Sequence, residues 1–208
     1  ENPLGLKIFF ENTTYPNPNR FFSHWIFYKY FNTVPFIFQN SFRPTESAYL
    51  SCALIKTITQ VIILVFLSIA ISGKINIFKF EFILAAVLIF PLFQTNGYCR
   101  YMGIIDPATT YVFFYAFPIA LLLLYFAPLF LQVYYNYNPG WMKYFKILWF
   151  PLALIVSLSG PLNPGISLII VTLIAFKLIN EKLVPLKNEN IKRRISIALK
   201  TVPFDYYI

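Results

Sequence analysis

Residues 111–135 read YVFFYAFPIALLLLYFAPLFLQVYY and contain no charged side chain. The hydrocarbon core of a bilayer is about 30 Å thick, and a helix of roughly 20 apolar residues crosses it. Pro118 and Pro128 lie inside this stretch and predict kinks, which neighbouring helices can accommodate in a membrane. The stretch therefore predicts a membrane-spanning helix over residues 110–135, the strongest of the chain.

Further uncharged stretches occur on both sides of it, at 57–72, 82–93, 147–159 and 166–176. They predict additional spans over 48–72, 80–96, 145–160 and 165–180. Glu81 and Pro91 make the second span the weakest. The last two spans are short and are joined by the turn 159–165, so they form either two tilted spans or one re-entrant hairpin. Two spans are favoured because lipid does not tolerate irregular backbone.

The composition agrees with this pattern. Charged residues make up 12% of the chain, about half the share in a soluble domain, and hydrophobic residues make up 58%. The predicted fold class is all-α: a polytopic integral membrane protein with about five transmembrane helices. Three regions follow, an external or interfacial segment 1–47, a transmembrane domain 48–180 and a basic tail 181–208.

Both ends of the chain have features typical of membrane surfaces. Residues 21–31 combine dense aromatic side chains with Lys29, which predicts a helix lying among the lipid headgroups. In the tail, Ile191, Ile195 and Leu199 share one helical face. The tail is therefore expected to form a basic amphipathic helix, and we expect its cations to bind lipid headgroups: Lys192, Arg193 and Arg194.

Five spans define two sides. Side A holds the N-terminal segment, the 94–110 loop and the 160–165 turn; side B holds the other loops and the tail. Side B carries most of the basic residues, so it is predicted to be cytoplasmic, or the matrix side in a mitochondrion. The expected location is a bacterial or mitochondrial inner membrane. An external N-terminal segment without a visible signal also predicts a span or leader upstream.

The net charge of +9 would suggest nucleic acid as the partner of a soluble protein. Here the cations mostly flank apolar stretches, so membrane lipids and other membrane subunits are the expected partners, and nucleic acid is not. The chain has one histidine, His24, and two cysteines without a C-x-x-C spacing. We therefore expect no cofactor and no metal site.

A polar stripe interrupts the first span. Lys56, Thr59 and Gln60 have the spacing i, i+3, i+4 and share one face of the helix. The stripe would line a cavity or bind a partner if the protein were a transporter or channel component. The favoured interpretation is that Lys56 extends to the side A interface while the other two groups hold helices together.

Side A also collects candidate catalytic residues, namely Glu11, Glu46, Arg100 and Asp106. A carboxylate there could act as a general base for a hydroxyl acceptor while Arg100 holds a lipid diphosphate. This architecture broadly resembles multi-span glycosyltransferases that use lipid-linked sugars, and the resemblance implies a membrane-embedded transferase. Alternatively, Asp106 forms a turn or helix cap before the third span, and Arg100 pairs with a lipid phosphate or with Asp106.

Three functions are consistent with these features. The favoured one is a non-catalytic, accessory or structural subunit of a larger membrane assembly, because the spans contain no central Asp or Glu and the chain lacks cofactor ligands. The first alternative is the transferase that acts at side A. The second is the transporter or channel component, so the sequence leaves open whether the protein is an enzyme.

Overall fold

The computed structural model describes residues 10–11, 20–93, 105–135 and 142–183. Every regular element in these ranges is helical, which confirms the all-α class for the described part of the chain. Each of the five predicted spans contains a helix. Arg100 and the tail cations Lys192, Arg193 and Arg194 lie outside the described residues.

Over residues 20–47, two helices precede the first predicted span, α1 at Phe21–Phe31 and α2 at Val34–Phe38. They are followed by α3 at Pro44–Ser72 and α4 at Phe80–Ile89, which continues as a 3-10 turn over Phe90–Phe93. The next helix, α5, has three parts: an α-helical turn Thr109–Tyr111, a π-helical segment Val112–Ala116 and an α-helix Phe117–Tyr135. The last two helices are α6 at Met142–Ser157 and α7 at Asn163–Leu183.

The ends of α3 have clear local causes. Pro44 occupies the first turn, where its missing N–H is not needed. The Glu46 carboxylate accepts a hydrogen bond of 3.1 Å from the backbone N–H of Arg43, which satisfies a donor at the helix start. At the other end, Gly73 adopts φ 68°, a left-handed conformation that glycine accepts without steric cost.

The π-helical segment of α5 lies directly before Pro118. A proline ring inside a regular α-helix clashes with the carbonyl of the residue four positions earlier, which here is Phe114. The wider π-helical turn relieves this conflict without ending the helix. The π-helical segment is the local feature that the structure shows beside Pro118, and the kink that the sequence predicted there stays a prediction.

Helix α5 lies between two apolar clusters. The first forms where α3, α4 and α5 meet: Ile63, Ile89, Phe93, Ile105, Val112, Ala116 and Ala120. The second joins α5 to α6, with α7 packed against it: Leu122, Tyr125, Phe126, Leu129 and Val156. Small residues at the first cluster, Ala116 and Ala120, let α5 approach its neighbours closely.

Hydrogen bonds fix which helix ends lie together. Lys56 bonds the carbonyl of Pro107 beside the start of α5, and the backbone N–H of Phe22 bonds the carbonyl of Leu158 at the end of α6. At the opposite end, the Tyr135 hydroxyl bonds the carbonyl of Ile69. The start of α3, the start of α5 and the α6–α7 turn therefore share one end, and the C-terminal parts of α3 and α5 share the other.

Two helical stretches are long and apolar enough to cross a membrane, Pro44–Ser72 and Thr109–Gln132. Only 22% of the most apolar window of the first stretch is buried, against 50% of the second. Three further apolar helices, Phe80–Phe93, Leu148–Ser157 and Asn163–Lys177, are shorter. Two candidate spans thus follow from length and composition, and the other three stay predictions.

Candidate functional site

Helix α1 packs on the end of the helical body that the sequence assigns to side A. The Ser23 hydroxyl donates to the carbonyl of Ser159, and the Phe22 N–H donates to the carbonyl of Leu158 at 3.1 Å. Ser23 is fully buried. These bonds satisfy carbonyls that the end of α6 leaves without helical partners. The aromatic helix is therefore a docked part of the body, and its position among lipid headgroups stays a prediction.

Aromatic rings strengthen this docking. Phe113, in the π-helical segment, is fully buried and meets the rings of Phe27, Tyr30 and Phe31 at centroid distances of 5.2, 5.4 and 6.0 Å. These separations and the mostly tilted or edge-on geometries are those that aromatic pairs prefer. The π-helical segment thus presents Phe113 as the centre of the contact with α1.

Arg20 fixes the start of α1 to the same segment. Its guanidinium donates a hydrogen bond of 3.2 Å to the Tyr115 hydroxyl. The same group lies over two rings, 5.5 Å from the Tyr115 centroid and 5.9 Å from that of Phe114. The ring of His24, also on α1, packs at a tilt against Phe114 with the ring centroids 4.6 Å apart. Arg20 therefore acts here as a planar cation bound to aromatic faces.

Tyr30 links α1 to α3. Its hydroxyl donates a hydrogen bond of 2.7 Å to the carbonyl of Ser51. Burial, with a smaller contribution from the nearby Cys52 thiol, raises the pKa of Tyr30 to about 12, although a backbone hydrogen bond acts in the opposite direction. Tyr30 therefore stays protonated, and a donor, up to strongly alkaline pH.

The polar stripe of α3 does not form one polar surface. The Lys56 ammonium donates to the Pro107 carbonyl beside the start of α5, and its extension to the side A interface stays a prediction. Thr59 is fully buried, and its hydroxyl donates to the Ile55 carbonyl of its own helix at 2.8 Å. Gln60 is half-buried. The three residues therefore do not line a common cavity.

Asp106 lies one residue from the carbonyl that Lys56 binds. Its carboxylate accepts a hydrogen bond of 2.7 Å from the backbone N–H of Ala108. This bond spans two residues, the pattern by which Asp closes a turn before a helix. The structure therefore brings Lys56 and the Asp106 turn together and gives Asp106 the turn role that the sequence offered as an alternative.

The other candidate acids lie elsewhere. Glu46 is exposed and caps the start of α3. It precedes Lys56 by ten residues, or roughly 15 Å along a helix. Glu11 is exposed in a short described helical piece with Phe10. Among the described residues, therefore, no recorded contact joins Glu46 to Asp106 as a catalytic pair.

Sequence reasoning missed the closest packing of the side A end, where the α6–α7 turn meets α5. Asn163 is 1% exposed, and its amide donates to the carbonyls of Pro118 and Val156 at 3.1 and 3.0 Å. A Cβ added to Gly160 would come within 2.8 Å of the Pro118 Cβ. The sequence Gly-Pro-Leu-Asn at 160–163 predicts a turn. It does not predict that this turn contacts Pro118 of α5.

Within the described ranges, no three His, Cys, Asp or Glu side chains come together as a metal site would require. No known protein-family model matches the chain, and no match was found among curated proteins or solved structures.

Proposed function

We propose that the chain is an integral membrane protein with five membrane helices, and that it serves as a non-catalytic subunit of a larger membrane assembly. The hydrogen bonds that the polar groups form at the side A end support this proposal. Asp106, Glu46 and Lys56 are the described groups best suited to chemistry, and each bonds the backbone at a helix start. Such bonds stabilise the fold and leave no described constellation of acid, base and cation.

The outward surface supports a location within lipid or against other membrane helices. Large apolar side chains on α3 and α4 are exposed, including Val61, Ile71, Val87 and Leu88. A soluble monomer rarely exposes such a continuous apolar surface. With the basic residues concentrated toward side B, an inner membrane with the C-terminus on the cytoplasmic or matrix side is the location we propose.

A face of α7 provides the surface for partner subunits. Its exposed residues include Ile169 and Phe176, which are 60% and 71% exposed. Association of membrane helices depends on close packing, because lipid tails are as apolar as the side chains they would replace. Partner binding is therefore expected to depend on the shape of this face.

The test is extraction of the native protein in mild detergent, followed by size-exclusion chromatography with mass spectrometry. Stoichiometric co-elution with other membrane polypeptides is the expected result. Replacing Phe176 with Ala should release the partners, whereas replacing Tyr49, which is 78% exposed at the start of α3, should not. Elution as a single polypeptide, with intact folding, would refute the subunit role.

A further inference from the structure

A groove of about 560 Å³ lies between α3, α5 and α7. Its lining is apolar and aromatic, and it includes Phe66, Leu122, Phe126, Ile170, Leu173 and Tyr134. The volume lies within the range of roughly 300–1,000 Å³ that is typical of small-molecule sites. Apart from the hydroxyl of the rim residue Tyr134, the side chains that line the groove are hydrocarbon, so the groove suits a hydrocarbon ligand.

The groove has a closed floor and an open side. Leu122, Phe126 and Leu129 form its floor and are 5 to 8% exposed. Leu173 and Tyr134 form its rim and are 63% and 72% exposed. An acyl chain is flexible and apolar along its length, so it can follow a groove that has a buried apolar floor and is open along one side.

Cations mark the side B end of this groove. Lys177 follows the rim residues Leu173 and Ile174 at i+4 and i+3, so it shares their face of α7. Lys74 follows Gly73, which lies against Tyr135 at the end of α5, next to the rim residue Tyr134. A phosphate would find cations where the chain leaves the groove for the membrane surface.

From this geometry we propose that the groove binds one acyl chain of an anionic phospholipid, whose phosphate lies near Lys177. Bound in this way, the lipid fills the groove through the side that α3, α5 and α7 leave open. The inference rests on the membrane location under Proposed function.

The test uses phosphatidylcholine vesicles that contain phosphatidylglycerol with a photoreactive group on one acyl chain. After reconstitution and illumination, mass spectrometry maps the labelled peptides. We expect labelling of the α5 and α7 residues that line the groove. Leu173→Trp fills the rim and should lower this labelling about tenfold, because the chain loses contact with several apolar side chains. Leu168→Trp is the matched control, on the same helix and 68% exposed but outside the lining.

A second variant tests the headgroup. Lys177→Gln should remove the preference for phosphatidylglycerol over a phosphatidylcholine probe with the same photoreactive chain, and it should leave the labelled positions unchanged. Equal labelling of Leu173→Trp and Leu168→Trp would overturn the groove assignment. If the groove assignment fails in this way, labelling of outward α3 residues such as Val61 would still support the membrane location. If Val61 and its outward neighbours are not labelled either, the membrane location itself is refuted.

Discussion

At the scale of single residues, the side A end depends on close contacts that tolerate little change. Asn163 is buried and uses its amide to join the α6–α7 turn to the Pro118 carbonyl. Gly160 lies against the ring of the same proline. Pro118 thus forms the surface on which the α6–α7 turn packs. The sequence indicates Pro118 only as a kink, but its contacts explain why a glycine lies at position 160 and an asparagine at position 163.

Gly160→Ala should destabilise the protein. The added Cβ would lie 2.8 Å from the Pro118 Cβ, and neither backbone can move away without disturbing the other contacts. Inserting a methyl group into packed structure costs roughly 1–3 kcal/mol. Thermal unfolding in detergent, followed by circular dichroism, measures the effect. Gly165→Ala is the control: a Cβ there meets nothing within 4 Å and should be neutral or slightly stabilising. Equal stability of the two variants would contradict the contact.

Substitutions of Asp106 distinguish a role in the turn from a catalytic role. Asn keeps an acceptor oxygen for the Ala108 N–H, so Asp106→Asn should leave stability nearly unchanged. Asp106→Ala removes the acceptor and should cost about 0.5–2 kcal/mol. The unfolding assay measures both variants. If Asp106→Asn and Glu46→Gln both abolish a transferase activity of the protein without lowering its stability, the side A transferase would replace the subunit role.

At the scale of elements, the structure adds what periodicity cannot supply. Apolar runs and proline positions predicted the helices α3 and α5, because length and hydropathy are properties of one segment. The aromatic residues 21–31 predicted a helix, and α1 spans Phe21–Phe31. Its docking partners were not predictable, since Ser23 and Ser159 lie 136 residues apart. The sequence analysis also did not predict the π-helical segment, although Pro118 is the residue that could have indicated it.

The docking of α1 should weaken at alkaline pH through Tyr30. Its pKa is about 12 in the folded protein against an ordinary value of 10.0, so the folded state favours the protonated hydroxyl. This contribution to stability is fully present below pH 10 and is lost as the pH rises toward 12. Limited proteolysis of α1 across this range should show increasing cleavage.

Tyr30→Phe tests the assignment. It removes the hydrogen bond to the Ser51 carbonyl, so α1 should be cleaved faster at neutral pH. It should also flatten the alkaline increase, because the titrating group is gone. Tyr28→Phe is the control on the same helix, with a ring that is 63% exposed. An unchanged alkaline profile in Tyr30→Phe would assign the pH dependence to other groups.

At the scale of the whole molecule, the number of membrane crossings decides the topology. The apolar stretch Phe80–Phe93 comprises ten α-helical residues and a 3-10 turn, so it is about 23 Å long. That is shorter than a bilayer core of about 30 Å. A short helix can still cross where the bilayer thins or its flanking residues extend to the interfaces. Glu81 and Lys79 lie near one end of α4, as such a crossing requires.

Single cysteines at three exposed positions test this topology. The variants Ser41→Cys, Lys74→Cys and Leu162→Cys are made in a background with Cys52 and Cys99 replaced by Ser. Intact cells or mitoplasts are treated with a maleimide that does not cross membranes. Five spans predict labelling of positions 41 and 162, and labelling of position 74 only after permeabilisation, because three helices separate 74 from 162.

Each alternative topology gives a different pattern. If α4 does not cross, only α5 and α6 separate positions 74 and 162, so both would be labelled under the same condition. If α6 and α7 form a re-entrant hairpin, position 162 lies within the membrane and resists the reagent on both sides. If α3 does not cross, positions 41 and 74 would react together. Opposite labelling of Lys74→Cys and Leu162→Cys requires an odd number of crossings between them, so when α5 and α6 both cross, α4 must cross as well and the five-helix arrangement places α1 and the Asp106 turn outside.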